Sequence, residues 1–143
     1  MSKIRLGTED IKQIALFESM TRAKVEDFIR QEDTFCFVIK KGDMGQAIGK
    51  NGSNVARVRR ALGRNVIVFE GNEDDEQLLR NMFHPVEVHG LTIAKTSGGT
   101  SAVVQISRED RSRAIGVNGT RIKLIKALAK RHCDIEELNL RIV

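Results

Sequence analysis

Two seven-residue segments, Ala47-Ile48-Gly49-Lys50-Asn51-Gly52-Ser53 and Ala114-Ile115-Gly116-Val117-Asn118-Gly119-Thr120, are near copies 67 residues apart. A gapless internal repeat of this kind means that one structural unit is built twice. The echo extends beyond the glycines: Val55 matches Ile122, Val58 matches Ile125 and Ala61 matches Leu128. Upstream, Phe37, Ile39 and Asp43 match Val104, Ile106 and Asp110. Two copies fill the 143 residues, with the polar, acidic stretch Gly71-Asn72-Glu73-Asp74-Asp75-Glu76 between them. The expected domains are therefore 1–71 and 72–143. Units of about 60 residues bury only some 60% of their unfolded surface, so a packed pair is expected rather than two independent beads.

Each copy reads as α-β-β-α-α-β, an α+β unit with a three-stranded sheet packed by helices. Thr8-Glu9-Asp10 ahead of Ile11, Ile14, Ala15 and Phe17 predicts a capped amphipathic helix ending near Thr21, with its acids at the positive end of the helix dipole. Strands follow over 25–30 and 34–40, then a short helix to Ile48, the glycine loop, a helix over 53–62 and a strand over 65–69. The second copy predicts a helix over 75–83, a break at Pro85, and strands over 86–95 and 100–107 joined by Ser97-Gly98-Gly99. A short helix from Arg108, the second loop, a helix over 120–131 and a strand over 138–143 complete it.

A Gly-x-x-Gly loop between two helices has specific chemistry. Glycine permits positive φ and removes Cβ atoms, so a ligand backbone can approach the main chain. Four bare residues at a helix start are expected to expose free N–H groups, and with the positive helix end these attract phosphate. Taken singly the pattern is weak, since most instances are turns. Its duplication and its charge setting give it weight. From Ala47 to Arg64 there are five basic residues, Lys50, Arg57, Arg59, Arg60 and Arg64, and from Ala114 to Arg131 again five, Arg121, Lys123, Lys126, Lys130 and Arg131. These stretches hold 10 of the 24 Lys and Arg and none of the 19 Asp and Glu. Ordinary solvated helix faces mix signs, whereas a single-sign face beside an amide-lined loop suits a nucleic-acid backbone. The net charge of +5 agrees with a polyanionic partner.

The chain has no Trp or Tyr, and all six Phe lie at or before Phe83. Phe17, Phe28, Phe35, Phe37 and Phe69 fall at core-patterned positions, which disfavours an aromatic stacking platform. Recognition would rest on the loops, with bases held in an aliphatic groove. His84, His89 and His132 form no triad or metal set, Cys36 and Cys133 stand alone as reduced thiols, and Asp43, Glu109 and Asp110 read as helix caps. No catalytic residue, metal or cofactor is expected. Gly45-Gln46-Ala47-Ile48-Gly49-Lys50-Asn51 fails as a nucleotide phosphate loop. It has three residues between its glycines where four are needed, and Asn where the magnesium-binding Ser or Thr belongs. The start Met1-Ser2-Lys3-Ile4-Arg5 runs into polar residues, against a secretory signal, and Phe35–Ile39 is far short of the ~20 apolar residues of a membrane span. A cytoplasmic protein is expected.

The element order with Gly-x-x-Gly between consecutive helices resembles the type II, prokaryotic KH domain, whose loop clamps about four nucleotides. The run from Phe37 to Gly52, and Ala114 to Gly119 near a C-terminal Leu-Ala-Lys-Arg, resemble the paired KH domains of the NusA transcription factors. At 143 residues there is room for neither the N-terminal polymerase-binding domain nor the S1 domain of bacterial NusA, so the match is to the short archaeal form. The resemblance implies a non-enzymatic, monomeric protein that binds single-stranded RNA in transcription termination or antitermination, with RNA polymerase as a further partner and no membrane. It places the clamps at Gly49, Lys50, Asn51 and Gly52 and at Gly116, Val117, Asn118 and Gly119, flanked by Arg57 and Arg60 and by Arg121 and Lys123. Val117 departs from the pattern, standing where such loops often carry Lys or Arg, so the second clamp is expected to be the weaker, with Arg113 or Arg121 compensating. Two alternatives remain open: a scaffold whose basic face docks on an acidic protein such as polymerase, and a binder of single-stranded DNA.

Overall fold

The computed structural model describes residues 6–143; the stretch used above to argue against a secretory signal lies outside them. The chain divides into two compact units, one running to Asn72 and the other from Glu73 to Val143.

The first unit contains α1 (Thr8–Thr21), β1 (Val25–Gln31), β2 (Thr34–Ile39), α2 (Met44–Ile48), α3 (Ser53–Leu62) and β3 (Asn65–Glu70). The sheet order is β1-β2-β3, with β2 antiparallel to β1 and parallel to β3. All six residues of β2 are buried, as a central strand made of a continuous apolar run requires. Phe37 is the hub: its ring stacks on Phe17 of α1 at 4.3 Å between centroids and lies 5.0 Å from Phe28, which meets Phe35 edge-on. Val55 and Val58 of α3 close the same core. The phenylalanines are thus internal packing, with Phe83 also fully buried in the second unit. In α1 the structure corrects the expected stripe: Phe17 and Thr21 are buried, but Ile11 is 56% exposed. Gly7, ahead of Thr8, occupies the cap position, and its N–H donates to the Asp10 carboxylate at 3.2 Å.

The second unit repeats the plan with α4 (Asp75–Phe83), β4 (Gly90–Thr96), β5 (Gly99–Ile106), α5 (Arg111–Ile115), α6 (Thr120–Cys133) and β6 (Ile135–Ile142). Its sheet order is β4-β5-β6, again antiparallel then parallel. The acidic stretch before α4 caps that helix, because the Asp74 carboxylate accepts from the Gln77 N–H at 3.0 Å.

Three boundaries differ from expectation. The strand expected from Val86 starts at Gly90, because after the cis His84–Pro85 bond the Val86 N–H turns back to the Phe83 carbonyl and is lost to the ladder. α6 continues to Cys133, and β6 accordingly begins at Ile135. The buried stripe of α6 is Leu124, Ile125, Leu128, Ala129 and Cys133, with Ile122 only half-buried. The carboxylates expected to cap helices take other partners. Asp43 accepts from the Lys24 N–H (2.9 Å) and Asp110 from the Ser107 hydroxyl (3.0 Å), and neither caps its helix through the side chain.

Both cysteines are buried and free. Burial, reinforced by the neighbouring Asp75 carboxylate with which the thiol hydrogen-bonds, pushes Cys133 up to about 12 from 9.0. The folded thiol stays protonated where the unfolded one ionises. Its contribution to stability is therefore complete below pH 9 and lost as the pH rises from 9 towards 12. Urea titrations of wild type and Cys133→Ala at pH 8 and pH 10.5 should show a smaller alkaline loss in the variant; equal losses would contradict this.

Candidate nucleic-acid interface

The two glycine loops have one backbone conformation. Gly49, Asn51 and Gly52 sit at φ/ψ of 76/173°, 55/30° and 75/15°, and Gly116, Asn118 and Gly119 at 79/172°, 56/24° and 73/12°. Two consecutive positions in each loop, Asn51-Gly52 and Asn118-Gly119, are thus left-handed, the first glycine combines positive φ with extended ψ, and Asn is the residue after glycine that tolerates the left-handed region best. The two glycines of each loop serve different ends. A Cβ on Gly49 would lie 2.8 Å from the Asn54 backbone nitrogen, and one on Gly116 would lie 2.8 Å from Cβ of Arg121, so the first glycine lets the loop sit tightly on the next helix. Around Gly52 there is open space, and around Gly119 only the end of Lys123 at 3.7 Å. The second glycine is required by its positive φ and leaves the outer surface open.

Part of the expected amide array is already used. The Gly52 N–H donates to Gly49 O and the Ser53 N–H to Lys50 O, and the second loop repeats this from Gly119 to Gly116 and from Thr120 to Val117. These bonds stiffen each loop into a fixed one-turn shape, which reduces the ordering cost of binding. At the tips, Lys50, Asn51 and Asn118 are exposed and Val117 is 82% exposed.

The surrounding basic residues divide into two sets. In the first unit Arg57 donates to the Asn54 side-chain carbonyl at 3.2 Å, while Asn54 anchors itself on the Gln46 carbonyl of α2 at 2.7 Å. Arg57 is thereby held on the helix turn beneath the loop, and Arg60 is exposed one turn further along. Arg59 is engaged with the Val66 carbonyl, and Arg64 with Asp33 at 3.7 Å. In the second unit Lys123 and Lys126 are exposed and Lys130 pairs with Glu136 at 3.6 Å.

Arg121 is the main departure. Its guanidinium reaches back to α4 and donates to the Met82 and His84 carbonyls at 3.0 and 2.9 Å. These are C-terminal carbonyls of a helix, where a cation and its donors are favourable. The compensation expected of Arg121 for Val117 is thus drawn to the end of α4, and Arg113 pairs with Asp110 at 3.6 Å. The repeat also breaks at Arg57, whose counterpart is the buried Leu124. Arg121 holds the place of Asn54 in the repeat, and the residue at that place packs beneath the first glycine in each unit.

Among the described residues there is no group of three or more His, Cys, Asp or Glu able to hold a metal ion, and no helix long and apolar enough to cross a membrane.

Comparison with known proteins gives a consistent likeness. Residues 75–141 match the NusA-like second KH domain, and residues 11–95 match the KH domain. The probable transcription termination protein NusA of Halobacterium salinarum is 36% identical over 137 residues, covering 96% of this chain and 98% of that protein. The protein of the same name from Methanocaldococcus jannaschii is 29% identical over 98% of this chain and 76% of its own length, and that from Thermoplasma acidophilum 25% over 99% and 98%. Among solved structures, the crystal structure of APE1850 superposes with a TM-score of 0.81 at 27% identity, over 95% of this chain and 100% of that one.

Proposed function

Because the chain belongs to the archaeal NusA-like family of transcription termination proteins, with two KH domains, we propose that it binds single-stranded RNA through its two Gly-x-x-Gly loops and acts without enzymatic activity in termination or antitermination. The domains are taken as 1–71 and 72–143. The observation that carries the proposal is the pair of pre-shaped loops with exposed tips, each lying in an eighteen-residue stretch, 47–64 and 114–131, that has five basic residues and no acid. Such a loop brings main-chain donors and the positive helix end to a phosphate, while Lys50, Arg57 and Arg60 supply charge along the track.

The first clamp consists of Gly49, Lys50, Asn51 and Gly52. The second consists of Gly116, Val117, Asn118 and Gly119, with Lys123 on the following turn. Val117 offers no charge to a phosphate and presents an apolar tip, so the second clamp is the weaker of the two; RNA polymerase is a further partner that the family suggests. The protein is assigned to the cytoplasm as a monomer on the same family grounds.

Salt dependence tests the proposal. A clamp on about four nucleotides predicts that log affinity for a single-stranded oligoribonucleotide falls with log salt at a slope of about −3, near 0.7 per phosphate contact. A flat profile between 50 and 200 mM salt would rule out a backbone-tracking site.

A further inference from the structure

Beyond the loops, the second unit has an open cleft of about 240 Å³ at the end of α4, lined by Gln77, Arg80, Asn81, His84, Pro85 and Val88 among others. We propose that this cleft is a base-reading subsite that takes one adenine of an RNA strand held by the second loop. The inference rests on the RNA-binding reading above and extends it to residues outside the Gly-x-x-Gly motif.

Three observations support it. The volume is below the ~300–1,000 Å³ of sites for drug-sized ligands, which suits a single base rather than a larger molecule. The polar lining is organised. Gln77 Nε2 donates to Asn81 Oδ1 at 2.8 Å along the rim of the cleft. The amide keeps one N–H and Oε1 as a donor and an acceptor, the pair with which a glutamine reads the N6 and N7 edge of adenine. Arg80 forms part of the wall and is itself held by the Val88 carbonyl at 3.2 Å and Glu76 at 3.3 Å, so the cleft has a fixed shape. His84 and Pro85 add exposed ring surfaces against which a base can stack.

Position ties the cleft to the loop. Arg121 packs beneath Gly116 of the second loop, and its guanidinium holds the carbonyl of His84, which lines the cleft. Loop and cleft are therefore one arginine side chain apart, within the span of neighbouring nucleotides on a strand. A strand whose phosphate rests on the loop can turn a base into the cleft.

The test uses the full chain and labelled twelve-residue oligo(A), oligo(C) and oligo(U), with affinity read by fluorescence anisotropy. Wild type is expected to prefer oligo(A). Gln77→Ala should weaken oligo(A) binding about tenfold, the scale of one bidentate base contact, and change oligo(U) less than twofold. Gln77→Leu, which keeps most of the bulk and loses both donor and acceptor without adding charge, should do the same. His84→Ala should weaken all three by a similar factor, because stacking is tolerant of base identity. If both Gln77 variants bind oligo(A) as wild type does, or lose all three oligomers equally, the cleft does not read adenine. Loss of binding on replacing Lys50 and Asn51 by Asp would still uphold the clamps in that case. If wild type binds none of the three, the RNA-binding reading fails, and the cleft with it.

Discussion

Replacing Lys50 and Asn51 together by aspartate lowers affinity for single-stranded RNA by about 100-fold while the protein stays folded. Both residues sit at the exposed tip of the first loop, and neither belongs to the buried core. Asp at position 51 keeps a side chain that tolerates the left-handed backbone there, where φ is 55°. What changes is the charge: a cation becomes an anion, and a second carboxylate is brought against the phosphate. Each charge-assisted contact is worth about 1.5–3 kcal/mol, so the loss of one with added repulsion approaches the ~2.7 kcal/mol of a hundredfold change. The matching pair in the second loop, Val117→Asp with Asn118→Asp, removes no cation and costs about tenfold. Anisotropy with a labelled oligoribonucleotide reads both, and circular dichroism confirms the fold. Unchanged affinity in both variants would mean that the loops do not clamp RNA.

The second large effect is on stability. Phe37→Ala removes a ring that is fully buried between Phe17 and Phe28 on the central strand of the first sheet. Truncating a core phenylalanine costs about 3–5 kcal/mol, partly as lost transfer energy and partly as an unfilled cavity. Small domains have only about 5–15 kcal/mol in total, so the first unit should melt far below wild type, by ten degrees or more. Ile11→Ala is the comparison, since Ile11 is 56% exposed on α1 and should change stability by less than about 0.5 kcal/mol. Equal urea midpoints for wild type and Phe37→Ala would contradict the assigned core.

The loops and most of the elements were legible in the sequence because glycine and hydrophobic period mark backbone requirements directly. Gly49, Gly52, Gly116 and Gly119 stand where the chain needs positive φ, and the apolar run of β2 could only be a buried strand. What could not be read depended on where a group reaches in three dimensions. Val86 and Val88 alternate with polar residues as a strand would, yet the Val86 N–H is already taken by the turn after α4. Arg121 looked like a phosphate ligand because charge is visible in sequence, whereas the reach of a long side chain to the Met82 and His84 carbonyls is not. Arg57 and Leu124 hold equivalent places in the repeat with opposite exposure, a divergence that the shared pattern conceals.

The identical shape of the two loops has a consequence for how such a protein can change. Backbone geometry is already settled in both, and Val117 points into solvent with 82% of its surface uncovered. Substitution there has almost no folding cost, so the charge of a loop is adjustable independently of its architecture. A lineage can retune one grip, or hand one loop to a different partner, by changing a single codon while the scaffold that presents it stays constant.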